Sequence, residues 1–289
     1  MINPLLQEYI DSKIDQATVI LSCRILIMNH KENGIDATMS KSQIKSKFDA
    51  LCTQYGVTTF RSDYVTRQCA HDDSAITQSG DRFFIRPNFL SEMEDDDYAQ
   101  IINQIDTHWA DLQNRQNNLL LELRELLRNG TEEVQCQYIH EMITERETTK
   151  KGQAFEVSSF AVLCTYLSSL GFSLNRYSTT YSNDGGIDFF AQNAVYQVTT
   201  RLTNSKYSED LRKVPGKKRI FVYKDLARDF SLEHFNNELV LNHLSANDLC
   251  NILENLAQKN SRKYLSLIIN TMIEEFNREF YQNDTPGTE

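Results

Sequence analysis

Apolar and polar positions follow helical spacing through most of the first part of the chain. A mixed apolar face over residues 5–30 predicts one helix. A second helix is predicted over 41–55, where Ser40 or Ser42 has the side chain that an N-cap needs. A third, shorter helix is predicted over about 61–70. The first ninety residues are therefore expected to be mostly helical.

Two short β-prone runs follow on either side of Ser79-Gly80, and they predict a tight hairpin. Three helices followed by a hairpin is the order of a winged helix-turn-helix. We therefore expect residues 1–90 to form a winged-helix-like DNA-binding domain, with the winged helix itself in 14–88. A small helical cap that only packs on the rest of the protein is the alternative.

The segment 91–150 is predicted to be a helical connector. Apolar residues at helical spacing indicate a long helix over about 97–128, ended by Asn129-Gly130, and a second helix over about 131–147. The segment begins with the acidic run Glu92 to Asp97, which is most simply a solvated face.

Helical and strand patterns alternate from residue 151 onward. This alternation predicts an α/β fold, an α+β mixed-sheet core in 151–289 that ends in a C-terminal helix. The expected helices cover about 153–170, 207–214, 246–258 and 261–281. The expected strands cover about 172–179, 187–192, 195–201, 219–224 and 239–244.

The composition is that of an ordinary soluble globular protein, with 40% apolar and 24% charged residues in 289. Its most apolar run, 17–28, is shorter than a membrane span requires, and the N-terminus shows no signal-peptide pattern. The six cysteines are scattered without zinc-site spacing. We expect a reduced, cytoplasmic protein with no membrane partner and no small-molecule cofactor.

The net charge of −10 argues against nucleic-acid binding at first sight, because phosphate contacts depend on lysine and arginine. The acidity is concentrated in 91–150, which holds five basic and fourteen acidic residues. Residues 201–228 hold nine basic and three acidic residues. A protein with such a patch can still bind DNA.

Candidate chemistry lies on a predicted hairpin near residue 190. If Asn193-Ala194 forms its loop, Asp188 lies opposite Thr199. Side chains alternate across a strand, so Asp188, Gln197, Thr199 and Arg201 would share one face. A carboxylate and an amide oxygen on one face can hold a hard cation such as Mg²⁺.

Glu156 lies on the apolar stripe of the helix predicted before this hairpin, at helical spacing from Phe160 and Leu163. A carboxylate buried there needs a partner, because an unpaired buried charge is costly. The partner could be a lysine or an arginine, or a metal ion shared with Asp188. We favour the metal ion.

These residues resemble a known family. The segments G-Q-A-F-E (152–156), L-G-F (170–172), N-D-G-G-I-D (183–188) and Y-Q-V-T (196–199) are similar to the PD-(D/E)xK nuclease superfamily, in its type II restriction-endonuclease-like branch. The resemblance covers about 150–250. It implies that Glu156, Asp188 and Gln197 bind or surround the catalytic metal.

Thr199 departs from the family pattern, which has a lysine there. Threonine cannot supply a positive charge to the attacked phosphate. Arg201 on the same face is the preferred replacement, and Lys206 from the next element is a second. Alternatively, the site is degenerate and binds DNA without cutting it. Asp184 is a further possible ligand, although a role in the turn is favoured.

The sequence thus predicts a site-specific, Mg²⁺-dependent endonuclease for double-stranded DNA, acting as a homodimer. The alternatives are a DNA-binding regulator with a catalytically degenerate nuclease fold and, less favoured, a nuclease for RNA or damaged ends. The apolar last helix could form the dimer interface, with core packing as its default role. The residues expected to contact DNA are Lys41, Lys45, Lys47, Arg61, Arg67, Arg82, Lys213, Lys217, Lys218 and Arg219.

Overall fold

The computed structural model describes residues 2–34, 36–56, 60, 62–148, 152–176, 187–191 and 194–281. The chain divides into two compact units, one of Met1–Arg115 with Phe280–Glu289 and one of Gln116–Glu279. None of the helices in the described ranges is long and apolar enough to cross a membrane.

Helices dominate the first unit. In chain order they are α1 (Pro4–Lys13), α2 (Ala17–Asn33), α3 (Lys41–Tyr55), α4 (Ser62–Gln68), α5 (Pro87–Leu90) and α6 (Asp95–Asn129), the last of which continues into the second unit. The expectation of a single helix over 5–30 is wrong. The chain turns between α1 and α2, where Gln16 has non-helical backbone angles (φ −94°, ψ 82°).

The bounds of α3 follow from local chemistry. Ser40 Oγ accepts a hydrogen bond from the Gln43 amide, and Gln43 Oε1 accepts one from the Ser40 amide. This reciprocal pair satisfies amides that the first helical turn leaves unpaired. Gly56 ends the helix in the left-handed region at φ 61°. The predicted helix over 41–55 is confirmed, with Ser40 as its cap.

A small antiparallel sheet completes the first unit. Its strands are β1 (Met39–Ser40), β2 (Ile76–Ser79) and β3 (Arg82–Ile85), in the order β1-β3-β2. Ser79 pairs with Arg82, so Gly80 and Asp81 form the turn. Gly80 has φ 60°, a conformation that glycine adopts without steric cost. The predicted hairpin is therefore confirmed.

Helix α2 lies at the centre of the first unit's core, where Ile20, Leu21 and Ile27 are fully buried. Its Arg24 donates to Asp106 of α6, with Nη2 2.7 Å from Oδ2. Burial of each large aliphatic side chain contributes about 1.5–3 kcal/mol. This helix therefore holds the unit together.

The second unit contains helices and a larger sheet. Its helices are α7 (Glu132–Thr144), α8 (Gln153–Ser169), α9 (Asn204–Lys213), a short 3-10 helix (Leu232–Asn236) and α10 (Ala246–Tyr281). Asn260 interrupts α10 with non-helical angles (φ −167°, ψ 87°). The break agrees with the two helices predicted over 246–258 and 261–281.

Five strands form the larger sheet, in the order β4-β5-β6-β7-β8. They are β4 (Asn175–Arg176), β5 (Phe189–Ala191), β6 (Ala194–Leu202), β7 (Lys218–Leu226) and β8 (Val240–Ser245). The pairs β4/β5 and β5/β6 are antiparallel, whereas β6/β7 and β7/β8 are parallel. The expected mixed α/β architecture is confirmed. The end of the strand predicted over 172–179 lies outside the described residues.

Helix α8 covers one face of this sheet. Cross-strand partners share a face, which places Arg176, Phe189 and Tyr196 together. Phe160 of α8 packs on Phe189, with ring centroids 5.2 Å apart. We call this the α8 face.

Helix α9 covers the opposite face. Gln197 pairs with Phe221, and Thr199 pairs with Tyr223, so these four side chains share the other side of the sheet. Tyr207 of α9 packs on Phe221, with ring centroids 5.0 Å apart. We call this the α9 face.

The apolar residues of the last helix belong to the core of the chain. Five of them are fully buried: Leu265, Ile268, Ile269, Met272 and Phe276. Their burial within one copy gives them the default role of core packing, so this face adds no support for a homodimer.

Candidate functional site

The register of the β5–β6 ladder differs from the expected one. Phe189 pairs with Tyr196 and Ala191 with Ala194, so the turn falls one residue earlier than predicted. Asp188 precedes the described ladder and its amide donates to the Tyr196 carbonyl oxygen, so Thr199 is not its cross-strand partner. The expected pairing is wrong because Ala194 belongs to the strand. Within β6, Gln197, Thr199 and Arg201 occupy alternate positions and share one face, as predicted.

Asp188 lies immediately before β5 and is half-buried. Its amide donates to the Tyr196 carbonyl oxygen at 3.1 Å, and its Oδ2 accepts a hydrogen bond from the Val198 amide at 2.7 Å. The carboxylate thus takes the place of a strand carbonyl at the point where β5 begins. A carboxylate fixed by backbone in this way is pre-positioned for a ligand.

Gln197 carries an unsatisfied polar atom. Its side chain is 4% exposed, and Oε1 has no hydrogen-bond partner among the described residues. Leaving a buried acceptor unpaired costs about 1–3 kcal/mol. Such an atom calls for a specific explanation, and a bound ligand is one.

The two groups suit a hard cation. Asp188 offers a carboxylate and Gln197 an amide oxygen, and Mg²⁺ prefers oxygen ligands and keeps several waters. Within the described residues no group of three or more histidine, cysteine, aspartate and glutamate side chains could hold a metal ion. Asp184, the further ligand considered above, lies outside the described residues.

Glu156 has an arginine as its partner. Its Oε1 accepts hydrogen bonds from Nη2 of Arg176 at 2.6 Å and from Nε at 3.2 Å. Arg176 lies on the α8 face, whereas Gln197 points to the α9 face. Glu156 was expected to pair with a basic side chain or with a metal ion, and the structure shows the basic side chain, Arg176. It does not bring Glu156 together with Gln197.

Arg176 is the centre of a larger cluster that sequence reasoning missed. Its side chain is fully buried, with Nη1 2.9 Å from Glu275 and Nη2 2.8 Å from Glu279. Burial alone would lower the pKa of Arg176, but Glu156, Glu279 and Glu275 raise it above its usual value. The cluster joins β4 to α8 and α10. The sequence feature that could have revealed this cluster is the pair Glu275 and Glu279, which lie four residues apart among apolar residues of α10.

Thr199 and its two expected replacements lie near the carboxyl end of β6. The Thr199 hydroxyl donates to the Arg201 carbonyl oxygen at 3.1 Å. Arg201 itself is exposed and lies opposite Asp225 of β7. Lys206 Nζ lies 3.1 Å from Oδ1 of the buried Asp210.

Arg219 is not a surface residue, and its expected contact with the DNA backbone is wrong. The side chain is fully buried and donates to the carbonyl oxygens of Leu211 at 3.0 Å, Lys217 at 2.9 Å and Val214. These carbonyls lie at the end of α9 and in the turn that follows. Arg219 therefore holds the connection between α9 and β7.

Three other residues near Arg219 were expected to contact DNA, and all three are at the surface: Lys213, Lys217 and Lys218. Lys213 forms an ion pair with Glu209 at 2.8 Å. Lys218 donates to the Glu238 carbonyl oxygen, and Lys217 is exposed.

Basic residues of the first unit are mostly engaged with neighbours. Lys45 pairs with Asp49 at 2.8 Å and Arg67 with Asp63 at 3.1 Å. The other three lie as follows: Arg82 donates to Thr38 and Gln43, Lys47 is exposed, and Arg61 is outside the described residues.

Lys41 lines a cleft between α3, α4 and the β2–β3 hairpin. Its Nζ lies 5.8 Å from the centre of the Phe83 ring. The cleft has a volume of about 430 Å³, and Thr66 and Gln78 also line it.

No protein-family model, curated protein or solved structure matches the chain.

Proposed function

We propose that the chain is an Mg²⁺-dependent endonuclease that hydrolyses phosphodiester bonds in double-stranded DNA. The observation that carries the proposal is the buried Oε1 of Gln197, which has no hydrogen-bond partner among the described residues and lies on the strand whose Val198 amide donates to the Asp188 carboxylate. The carboxylate just before β5 and this amide oxygen of β6 form the beginning of a cation site.

Each residue has a distinct task in this proposal. Asp188 and Gln197 would hold Mg²⁺, which when bound would supply an activated water and neutralise charge on the attacked phosphate. The Val198 amide holds the Asp188 carboxylate in one orientation.

The architecture of the second unit supports the proposal. The resemblance to the PD-(D/E)xK superfamily implies a mixed sheet packed with helices. In such a fold the metal site lies at two paired strands that follow a helix in the chain. Here Asp188 lies immediately before β5 and Gln197 lies on β6 of a five-stranded mixed sheet, and α8 precedes both in the chain. In this proposal Glu156 is not a metal ligand and instead holds Arg176 on the α8 face.

The arrangement of the first unit supports DNA binding. Helices α2, α3 and α4 followed by the β2–β3 hairpin have the order of a winged helix. The cleft at Lys41 lies between α3 and the hairpin, the elements that such a domain brings near DNA. We propose that this unit binds the duplex and that two copies cut its two strands.

A second candidate function is DNA binding without cleavage. Thr199 favours it, because its hydroxyl is bonded to a backbone carbonyl and carries no charge. In that case the protein would be a DNA-binding regulator whose nuclease-like fold does not cut.

Incubation with plasmid DNA and Mg²⁺ separates the two candidates. We expect discrete fragments with the parent protein and none with Asp188→Ala, while Asp229→Ala, which changes an exposed aspartate of the same unit, cuts normally. Binding without cutting would favour the regulator. Equal cutting by the parent and Asp188→Ala would contradict the proposed site.

A further inference from the structure

We propose that a basic patch at the break in α10, formed by Lys259, Arg262 and Lys263, binds the phosphate backbone of duplex DNA. The inference rests on the proposed function for its choice of partner. It adds to the second unit a contact surface that includes neither the residues of the cation site nor the basic residues from which DNA contacts were expected.

The segment around the break contains no carboxylate. Glu254 and Glu274 flank the nineteen residues 255–273, which include no aspartate or glutamate, in a chain where 40 of 289 residues are acidic. The three cations give this segment a net charge of +3, although the chain as a whole carries −10. Charges are screened over about 10 Å at 0.1 M salt, so a phosphate at the patch responds mainly to the local charge.

The three cations of the patch are exposed and form no ion pair with the carboxylates that the structure describes. Glu132 of α7 approaches the break, but its carboxylate accepts the hydroxyl of Ser261. Lys263 Nζ lies 5.3 Å from the centre of the Tyr264 ring, a contact that leaves its N–H groups able to donate. The patch therefore presents positive charge that the protein itself does not neutralise.

The basic residues of α9 are in the opposite state. Lys206 pairs with Asp210 at 3.1 Å and Lys213 pairs with Glu209 at 2.8 Å, each across one turn of the helix. A phosphate that approached α9 would have to compete with these carboxylates. It meets no such competitor among the residues of 255–273.

The break fixes the backbone from which the cations extend. Asn260 has non-helical angles (φ −167°, ψ 87°), and its Oδ1 accepts a hydrogen bond from the Lys263 amide at 3.1 Å. It thus caps the second stretch of α10. The five residues 259–263 span at most about 18 Å even when extended. Duplex DNA carries one charge per about 1.7 Å of its axis, so a patch of this size faces several phosphates.

The chemistry of the surrounding surface favours a nucleic-acid backbone over a protein or a membrane. Leu265 and Ile268 are fully buried, and within 255–273 the large exposed apolar side chain is Leu267. A membrane-bound helix needs a whole apolar face, and a protein interface needs a cluster of apolar anchors. Surfaces that bind DNA are more polar and more positively charged, as this one is.

The dependence of duplex affinity on salt tests the patch. Affinity is measured by the fluorescence anisotropy of a labelled DNA duplex of mixed sequence, in EDTA so that no cleavage interferes. Each phosphate contact contributes about 0.9 to the slope of log affinity against log salt. We expect the triple variant Lys259→Gln/Arg262→Gln/Lys263→Gln to reduce the slope by about 2.7, and Lys259→Gln alone by about 0.9.

A second triple variant controls for net charge. Arg124→Gln/Arg128→Gln/Arg228→Gln removes the same charge from exposed arginines of the same unit and should reduce the slope by less than about 0.9. Equal reductions in the two triple variants would assign the effect to overall charge and overturn the inference. Melting temperatures should stay parental in both because all six side chains are exposed. If the patch triple does not fold, Lys259→Gln and Lys263→Gln carry the test singly.

The outcomes separate this inference from the proposed function. If the parent protein binds the duplex but does not cut plasmid DNA in Mg²⁺, the proposed cleavage fails, and a reduced slope in the patch triple still supports the inference. A parental slope in that variant overturns the inference whether or not the parent cuts. Loss of binding to phosphatidylserine vesicles together with a parental DNA slope would assign the patch to a membrane and also overturn it. A parent protein that does not bind the duplex overturns both proposals.

Discussion

The two faces of the five-stranded sheet carry polar groups in opposite states. On the α8 face, Arg176 is surrounded by Glu156, Glu275 and Glu279, so each charge has a partner at 2.6–2.9 Å. On the α9 face, Gln197 has a buried oxygen with no partner among the described residues. A compensated cluster is complete without a ligand, whereas an acceptor with no described partner is open to one.

This difference separates residues that the motif groups together. Glu156, Asp188 and Gln197 all match the nuclease pattern, but Glu156 belongs to the compensated cluster. The cluster anchors β4, for which only two residues form a described strand. Arg176 ties this strand to α8 and α10 through its ion pairs with Glu156, Glu275 and Glu279. We therefore expect changes on the two faces to affect different properties.

The largest expected effect is on catalysis, from Asp188→Asn. Removing the charge of the metal-binding carboxylate should lower kcat/KM about 10³-fold, while the amide oxygen can still accept from Val198. The free energy of unfolding should fall by no more than about 1 kcal/mol. Cleavage kinetics and urea unfolding measure the two quantities. If Asp188→Asn cleaved DNA as fast as the parent, the Asp188 carboxylate would not be part of a catalytic site.

Arg176→Met should have the largest effect on stability. It leaves three carboxylates without their shared cation, and breaking a buried pair in this way costs about 3–5 kcal/mol. The matched control is Arg212→Met, at an exposed arginine of α9, which should change stability by less than about 0.5 kcal/mol. Urea unfolding that showed equal, small losses for both variants would contradict the structural role of the cluster.

Glu156→Gln tests the comparison most directly. The glutamate side chain is 24% exposed and its amide analogue can still accept from Arg176, so we expect a loss of about 1–2 kcal/mol in stability. Cleavage by the folded protein should stay within about threefold of the parent. If cleavage instead disappeared while urea unfolding stayed parental, Glu156 would be a metal ligand and the two faces would form one site.

The smallest expected effect on stability is that of Gln197→Leu. Without metal, removing an unsatisfied oxygen should leave the free energy of unfolding unchanged or raise it by up to about 1 kcal/mol. Gln135 is the control, since it is also buried but donates to the Leu126 carbonyl oxygen at 3.0 Å. Gln135→Leu should cost about 1–2 kcal/mol.

Thermal unfolding with and without Mg²⁺ completes that test. The parent should be stabilised by Mg²⁺ because the metal binds only the folded state, whereas Gln197→Leu should lose this shift. A metal-dependent shift that survives in Gln197→Leu would show that the orphaned oxygen is not a ligand.

Local patterns in the sequence predicted local structure well. Helix α3 begins at its Ser40 cap and ends at Gly56, as expected, because capping depends on residues within a few positions. The hairpin at Gly80 and the helix α8 agree with the same kind of reasoning. Gln197 and Thr199 also share one face of β6, because side chains alternate along a strand.

The sequence alone thus determined most of the elements, their order and the shared face of Gln197 and Thr199 on β6. The tertiary structure decided which partner each buried polar group has. Glu156 meets Arg176 twenty residues away, and Arg176 meets Glu275 ninety-nine residues away. Arg219, basic and apparently superficial in sequence, is buried against carbonyls of the preceding turn. Such choices depend on how strands and helices pack, because burial and charge compensation are properties of the three-dimensional neighbourhood.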